Sequence, residues 1–393
     1  MNILLVTNEA FEYYDTFLKA FIEFFTNSDD SLKVLLRRSK GSSSDITEVQ
    51  KSIGFMELKE INKSIVKTLP ALFGINHLLI GSIKELQAFS PDVIFARDNP
   101  VYGLSIAREF PRTPFVFQYT YPFELETSLF KRLLMEISYK KVFNVSDLIF
   151  PISKSLGKHL HEKFGVHEKI IKPLPMGVCT MLSERALVTS DRARIRKSMG
   201  VRDTEYLVVF AGSVKSNINL LRKIAEELQQ TQSPKIRLLV LVRNTPGTDY
   251  DFIRNFLSLE NVILKYDLPI EKVMDYYAAS DIGLNVFVDT AGSLTRMATK
   301  NLEYLAMGLP LVTSRCVVED SFVSNNRFGI EVENNEFEFS NAIITVSRWS
   351  FDSKKAIEWI KQNYSYDSIL GNLKKDLLSI CRRKDCRNKE IQK

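Results

Sequence analysis

Histidine and cysteine are scarce in this chain, with four of each among 393 residues. Cys179, Cys316, Cys381 and Cys386 are scattered and lack metal-ligand spacing. That excludes a cysteine-built zinc site or a disulfide framework and fits a reduced, cytoplasmic protein. His159, His161 and His167 fall on or just after one polar helical stretch and read as surface residues. Long apolar runs are missing too. None reaches the roughly 18 residues that span a bilayer, so any membrane contact is expected to be peripheral. The start "MNILLVTNEAF" has neither a basic n-region nor cleavage-type small residues and is not read as an export signal. Neither G-x-G-x-x-G nor G-x-x-x-x-G-K-[ST] occurs, and the turn "VTNEAFEYYD" holds no glycine. A dinucleotide or ATP site there is not expected.

What is present describes a soluble globular chain, 45% apolar and 25% charged. Its length points to two domains. A net charge of +6 is too small for a nucleic-acid partner but suits an anionic ligand or an anionic membrane surface. Short apolar runs such as "NILLV", "DVIFAR", "FVFQY" and "DLIFP" alternate with helical stretches, so the first half reads as α/β with a parallel sheet. A helical region is expected from the Ser-rich loop "KGSSSD" through Leu86. Residues 179–204 are polar and read as an interdomain connection with one helix. The pattern then restarts at "YLVVFAG" and runs through "IRLLVLV", "NVILKY" and "DIGLNVF". The expected division is an N-terminal domain at 1–178 and a C-terminal domain at 205–352. A helix near 355–381 is expected to pack back on the first domain, and 382–393 to be a charged tail. Two such sheets bring two sets of strand ends to one cleft, the default ligand site.

Three places could carry chemistry. Asp249 and Asp251 in "GTDYD" have a spacing found in metal-nucleotide sites, but they precede a helix and read as capping residues. Gly212 and Ser213 end a buried strand, with Lys215 beside them. That turn could present N–H groups to an anion or be an ordinary tight loop. In "RMATKNLEYLAMGLPLVTS", Thr299 is expected as an N-cap, with Lys300 and Asn301 in the first turn. Leu302, Leu305, Ala306 and Leu309 form one apolar face, and Gly308 with Pro310 stops the helix. Arg296 and Lys300 beside a helix start would suit a diphosphate. Glu303 could accept both hydroxyls of a ribose, or simply complement the helix dipole.

These pieces, in this order, resemble a GT-B glycosyltransferase of the retaining family 4 type. "ATKNLEYLAMGLPLVTS" carries the strongest resemblance. "FAGSVKSNINLL", "LENVILKYDLPIEKVMDYYAASDIGLNVF", "SDLIFPISKSLGKHLHEKFGV" and "KQNYSYDSIL" add to it. The chain departs from the family pattern at Thr295, where many members have a first glutamate, and at Ser213, where an arginine is common. Gln118 and Tyr119 stand where a histidine often follows the "PFVF" strand.

The resemblance implies two Rossmann-like domains facing across a cleft, and sugar transfer from a nucleoside-diphosphate-sugar with retained configuration. The expected acceptor is a glycan or lipid-linked group, in cell-surface polysaccharide or glycolipid biosynthesis. Arg296 and Lys300 are assigned to neutralising the leaving group, with no metal or other cofactor required. Gly212, Ser213, Lys215, Arg243, Thr299, Asn301 and Glu303 are assigned to the donor nucleotide, and Arg97, Gln118 and Tyr119 to the acceptor side. "SLFKRLLMEISYKKVF" places Phe130, Leu133, Leu134 and Ile137 on one helical face beside Lys131, Arg132, Lys140 and Lys141. It reads either as a contact with the inner face of an anionic membrane or as a core-packed helix with solvated lysines. A nucleotide-sugar epimerase on the same fold, and a degenerate transferase that only binds, are the competing functions.

Overall fold

The computed structural model describes residues 1–10, 16–37, 55–58, 83–212, 214, 216–231, 233–243, 248–287, 298–315 and 322–391. They form two compact units. Residues 1–176 and 366–393 make the first, and 177–365 the second.

The first unit is built on six parallel strands: β1 (Asn2–Ala10), β2 (Ser31–Arg37), β3 (Phe55–Leu58), β4 (Val93–Arg97), β5 (Phe115–Tyr119) and β6 (Leu148–Pro151). Their order is β3-β2-β1-β4-β5-β6. β3 lies in the stretch expected to be helical; it pairs with β2 from Val34 to Arg37. β4, β5 and β6 are buried at every position, which is why they read as unbroken apolar runs rather than alternating ones. The helix Thr16–Thr26 lays Phe17, Phe21 and Phe25 on the sheet, and the last helix, Tyr366–Ile391, adds Leu370, Leu373 and Leu377 to the same core. Two ion pairs tie that helix down, Lys374 to Asp30 at 2.7 Å and Lys172 to Asp376 at 2.6 Å. It runs on through the segment expected as a charged tail, as far as Ile391.

The second unit repeats the plan with β7 (Tyr206–Gly212), β8 (Ile236–Val242), β9 (Val262–Tyr266), β10 (Ile282–Asn285), β11 (Leu311–Ser314) and β12 (Gly329–Val332). Its order, β12-β11-β10-β7-β8-β9, is that of the first sheet counted from the other edge. Each is the doubly wound order, whose switch point lies between β1 and β4 in one unit and between β7 and β10 in the other. Alternate residues of β7 feed opposite layers. Val208 and Phe210 pack under the helices Ile218–Gln230 and Glu336–Ser347, while Leu207 and Val209 pack with Tyr277, Leu302 and Leu305.

The polar segment 179–204 belongs to this second unit and holds two helices, not one: Thr180–Thr189 and Arg192–Ser198. Asp191 starts the second by accepting a hydrogen bond from the Arg194 amide at 2.9 Å. The helix Ser353–Tyr364 is also in this unit, so only Tyr366 onward returns to the first. Arg196, buried, clamps the whole edge. Its guanidinium donates to the carbonyls of Ala279, Arg202 and Glu205 and to Asp281 Oδ2 at 2.9 Å. Asp281 in turn accepts the Leu207 amide at 2.7 Å, fixing the start of β7 beside the start of β10. Removing one partner from such a buried network leaves the rest unsatisfied, at about 3 kcal/mol. Arg196→Met should therefore lower the urea midpoint without changing the fold seen by circular dichroism.

Candidate active site

The carboxyl ends of β7, β10 and β11 converge on the helix Thr299–Ala306. A chain of buried polar groups pins its first turn. Asn285 Nδ2 donates to Asn301 Oδ1 at 2.7 Å, and Asn301 Nδ2 donates to Thr313 Oγ1 at 3.3 Å. One strand residue further on, Ser314 Oγ accepts the Phe287 amide at 2.9 Å and donates to Asn334 at 2.6 Å. Asn334 closes the circuit on the Phe287 carbonyl at 2.7 Å. Both buried Asn285 and Asn301 are thereby satisfied, as burial requires.

Tyr304, fully buried, fixes the second turn. Its hydroxyl accepts the Ala211 amide at 3.0 Å and donates to the Leu284 carbonyl at 3.3 Å, joining β7 to β10 at the switch point. This ring position demands glycine at 283, because a Cβ there would sit 2.5 Å from the Tyr304 ring. The next residue after Ala211 is Gly212, whose φ of +152° suits a residue without a side chain.

Glu303, most of its side chain covered, turns the other way. Its Oε2 accepts from the Tyr277 hydroxyl at 3.1 Å and from Lys300 Nζ at 2.6 Å. Tyr277 is itself buried, and burial first, then the Glu303 charge, pushes its phenol far above the ordinary tyrosine range. It therefore stays a donor. Ala298 precedes the helix and supplies no side-chain cap, so the expected N-cap, Thr299, is instead the first helical residue. The N–H groups at the start of that helix carry partial positive charge beside the Lys300 ammonium.

Of the residues assigned to the donor, Gly212, Thr299, Lys300 and Glu303 stand at this cluster of strand ends and helix start. Asn301 does not offer its amide to a ligand, because both ends of it are held inside. Arg243 follows β8 and is exposed. Ser213, Lys215, Thr295 and Arg296 lie outside the described residues. Asp249 caps a helix as expected, accepting the Phe252 amide at 2.9 Å, and Asp251 lies exposed in its first turn. No group of three or more potential metal ligands occurs among the described residues.

Residues 205–348 match the family model for glycosyl transferases of group 1. The match lies within the second unit, and the fold is that of the GT-B glycosyltransferases. A glycosyltransferase from Rickettsia africae aligns over 96% of this chain and 98% of its own, with 15% identity and a TM-score of 0.72. Sucrose-phosphate synthase from Thermosynechococcus elongatus aligns over 96% and 99%, with 14% identity and a TM-score of 0.72. Anabaena HepE in complex with UDP aligns over 96% and 100%, with 14% identity and a TM-score of 0.70. No curated protein sequence matches.

In the first unit of this GT-B chain, the residues assigned to the acceptor side are all buried. Thr7, Arg97 and Gln118 form one row across β1, β4 and β5, one step beyond the apolar rows of the core. The Arg97 guanidinium lies over the Phe17 ring at 5.0 Å, with Asp98 3.7 Å from its Nε. Neither amide atom of Gln118 has a hydrogen-bond partner among the described residues. Tyr119 is a structural residue: its hydroxyl donates to both Glu124 oxygens, at 3.0 and 2.9 Å. Glu124 is wholly buried and also meets His159 Nε2 at 3.0 Å and Lys163 Nζ at 3.4 Å. His159 is therefore a half-buried network member, whereas His161 and His167 are exposed as expected. No local signal marks Glu124, since its partners lie 5 to 39 residues away.

Burial pushes the Glu124 carboxyl up, but the bonds from His159 and Tyr119 and the Lys163 charge outweigh it, leaving the group below its ordinary value of 4.5. A depressed carboxylate stabilises the fold above its unfolded value and loses that contribution as pH falls through the folded one. Urea midpoints of the wild type and Glu124→Gln should therefore differ at neutral pH and converge as pH falls below the ordinary carboxylate range.

Proposed function

We propose that the chain transfers a sugar, with retained configuration, from a nucleoside-diphosphate-sugar to a glycan or lipid-linked acceptor in cell-surface polysaccharide or glycolipid synthesis. One observation carries the reading. At the switch point of the unit that matches the group 1 glycosyl transferases, Glu303 presents a carboxylate held, among the described residues, through a single oxygen, beside a helix start that no described side chain caps. Its Oε1 has no hydrogen-bond partner among the described residues, and a ribose diol matches a carboxylate. The helix N–H groups and Lys300 suit a diphosphate. In this reading Lys300, with Arg296, meets the negative charge that grows as the sugar–phosphate bond breaks, so no metal is needed for that step. Gly212 lets the backbone come close to the phosphates. The UDP complex of HepE supports a nucleotide at this kind of domain.

A panel of UDP, GDP, ADP and their sugars tests this. A ligand that binds only the folded protein raises its melting midpoint. At least one nucleotide should do so, and Glu303→Ala should weaken it about tenfold or more, the loss of a charge-assisted contact. No shift with any nucleotide would overturn the reading. Binding without transfer or donor hydrolysis would indicate a degenerate binding protein, and donor turnover without acceptor an epimerase.

A peripheral membrane contact extends the reading. On the helix Leu129–Val145 the face towards the core is Ser138, Tyr139, Val142 and Phe143, while Leu129 (86% exposed), Phe130 (59%), Leu133 (56%) and Ile137 (41%) point to solvent. Leu134, expected with them, is half-buried. An apolar stripe with Lys131, Arg132, Lys140 and Lys141 nearby suits an anionic lipid surface. No described helix is long and apolar enough to cross a membrane. The protein should float with vesicles containing phosphatidylserine, and Phe130→Ser with Leu133→Ser should abolish this; an absence of flotation by the wild type sinks the contact.

A further inference from the structure

We propose that Tyr277 is a positioning residue for donor binding, its hydroxyl fixing the Glu303 carboxylate so that Oε1 is aimed at the ribose of a nucleoside diphosphate. The inference rests on the donor reading above. Both hydrogen bonds that Glu303 receives from described residues fall on Oε2, one from Tyr277 at 3.1 Å and one from Lys300 at 2.6 Å. The two donors differ in freedom. Lys300 is partly exposed and sits at the end of a flexible four-carbon stem, so it can leave for a phosphate. Tyr277 cannot move. It is fully buried, and its ring meets Tyr304 edge-on, with centroids 5.0 Å apart and planes at 71°. Tyr304 is anchored in turn to Ala211 and Leu284 on the two switch-point strands. When Lys300 turns to the diphosphate, Tyr277 is what holds the carboxylate in place. A phenol–carboxylate bond in a covered site is charge-assisted and short-range, so it fixes direction as well as position.

This division of labour gives Glu303 and Lys300 independent tasks. The pair neutralises itself in the free protein, and on binding the carboxylate keeps one buried partner while the ammonium changes partner. Loss of the Tyr277 hydroxyl would leave Glu303 following Lys300, with Oε1 no longer directed.

Tyr277→Phe keeps the ring and its packing and removes only the O–H. The full chain is titrated with UDP, GDP and ADP and with their 2′-deoxy counterparts. The wild type should prefer the ribo form of its nucleotide by about tenfold, the worth of one hydrogen bond to a charged group. Tyr277→Phe should lose most of that preference. Glu303→Gln should lose it too, and the double variant should be no worse than Glu303→Gln alone. A Tyr277→Phe protein that retains the preference while Glu303→Gln loses it overturns the positioning role and leaves the donor site standing. Equal losses for ribo and deoxy forms in Tyr277→Phe also overturn it, marking the residue as packing alone. A wild type that binds a nucleotide but treats both sugars alike overturns the carboxylate–ribose contact itself.

Discussion

The hydroxyl of Tyr304 bridges β7 and β10, and the candidate active site is organised around that bridge. In a doubly wound sheet these are the strands whose helices depart to opposite faces, so their carboxyl ends are where the backbone opens. An aromatic side chain reaching from a helix into that opening needs space and two hydrogen-bond partners. Gly283 gives the space, and Ala211 and Leu284 give the partners. With residue 304 directed inward, residue 303 is one helical step round and turns to Tyr277 and Lys300. The acidic residue and the strand ends are thus positioned by the same eight-residue helix.

The second fixing element is polar rather than aromatic. The buried Asn285, Asn301, Thr313 and Ser314 and the half-buried Asn334 form a network around the first turn of that helix. Buried amides are costly unless every group is paired, and here the pairing runs from strand to helix to strand. Such a network specifies one docking of the helix, which an apolar contact of equal area would not do so narrowly.

The fold was largely legible from the sequence because its strands are buried on both faces. "YLVVFAG" and "IRLLVLV" can be little else than central strands. β3 was harder to see: four residues, Phe55–Leu58, carry too little pattern to separate strand from helix. The two short helices of 179–204 merged into one because the break between them is a Ser–Asp pair inside a uniformly polar run. At the site, the motif around Lys300 and Glu303 was visible as a helix with an acid beside an apolar face. Roles that depend on contacts across the fold were not. Asn301 is assigned to the donor by the resemblance alone, and only the approach of Asn285 and Thr313 shows its amide held. Tyr277 lies 26 residues from the carboxylate it touches, so no local pattern could join them. Tyr119 and His159 are linked through Glu124 in the same non-local way.

The route of the chain has a consequence for its synthesis. The second unit is contiguous, residues 177–365, whereas the first is closed only by residues after 365. Leu370, Leu373 and Leu377 leave the ribosome after the whole of the second unit, yet they share a core with Phe17 and Phe21, which leave before it. Domains fold as units as they emerge. The second unit can therefore be complete while Phe17 and Phe21 of the first still wait for the helix Tyr366–Ile391.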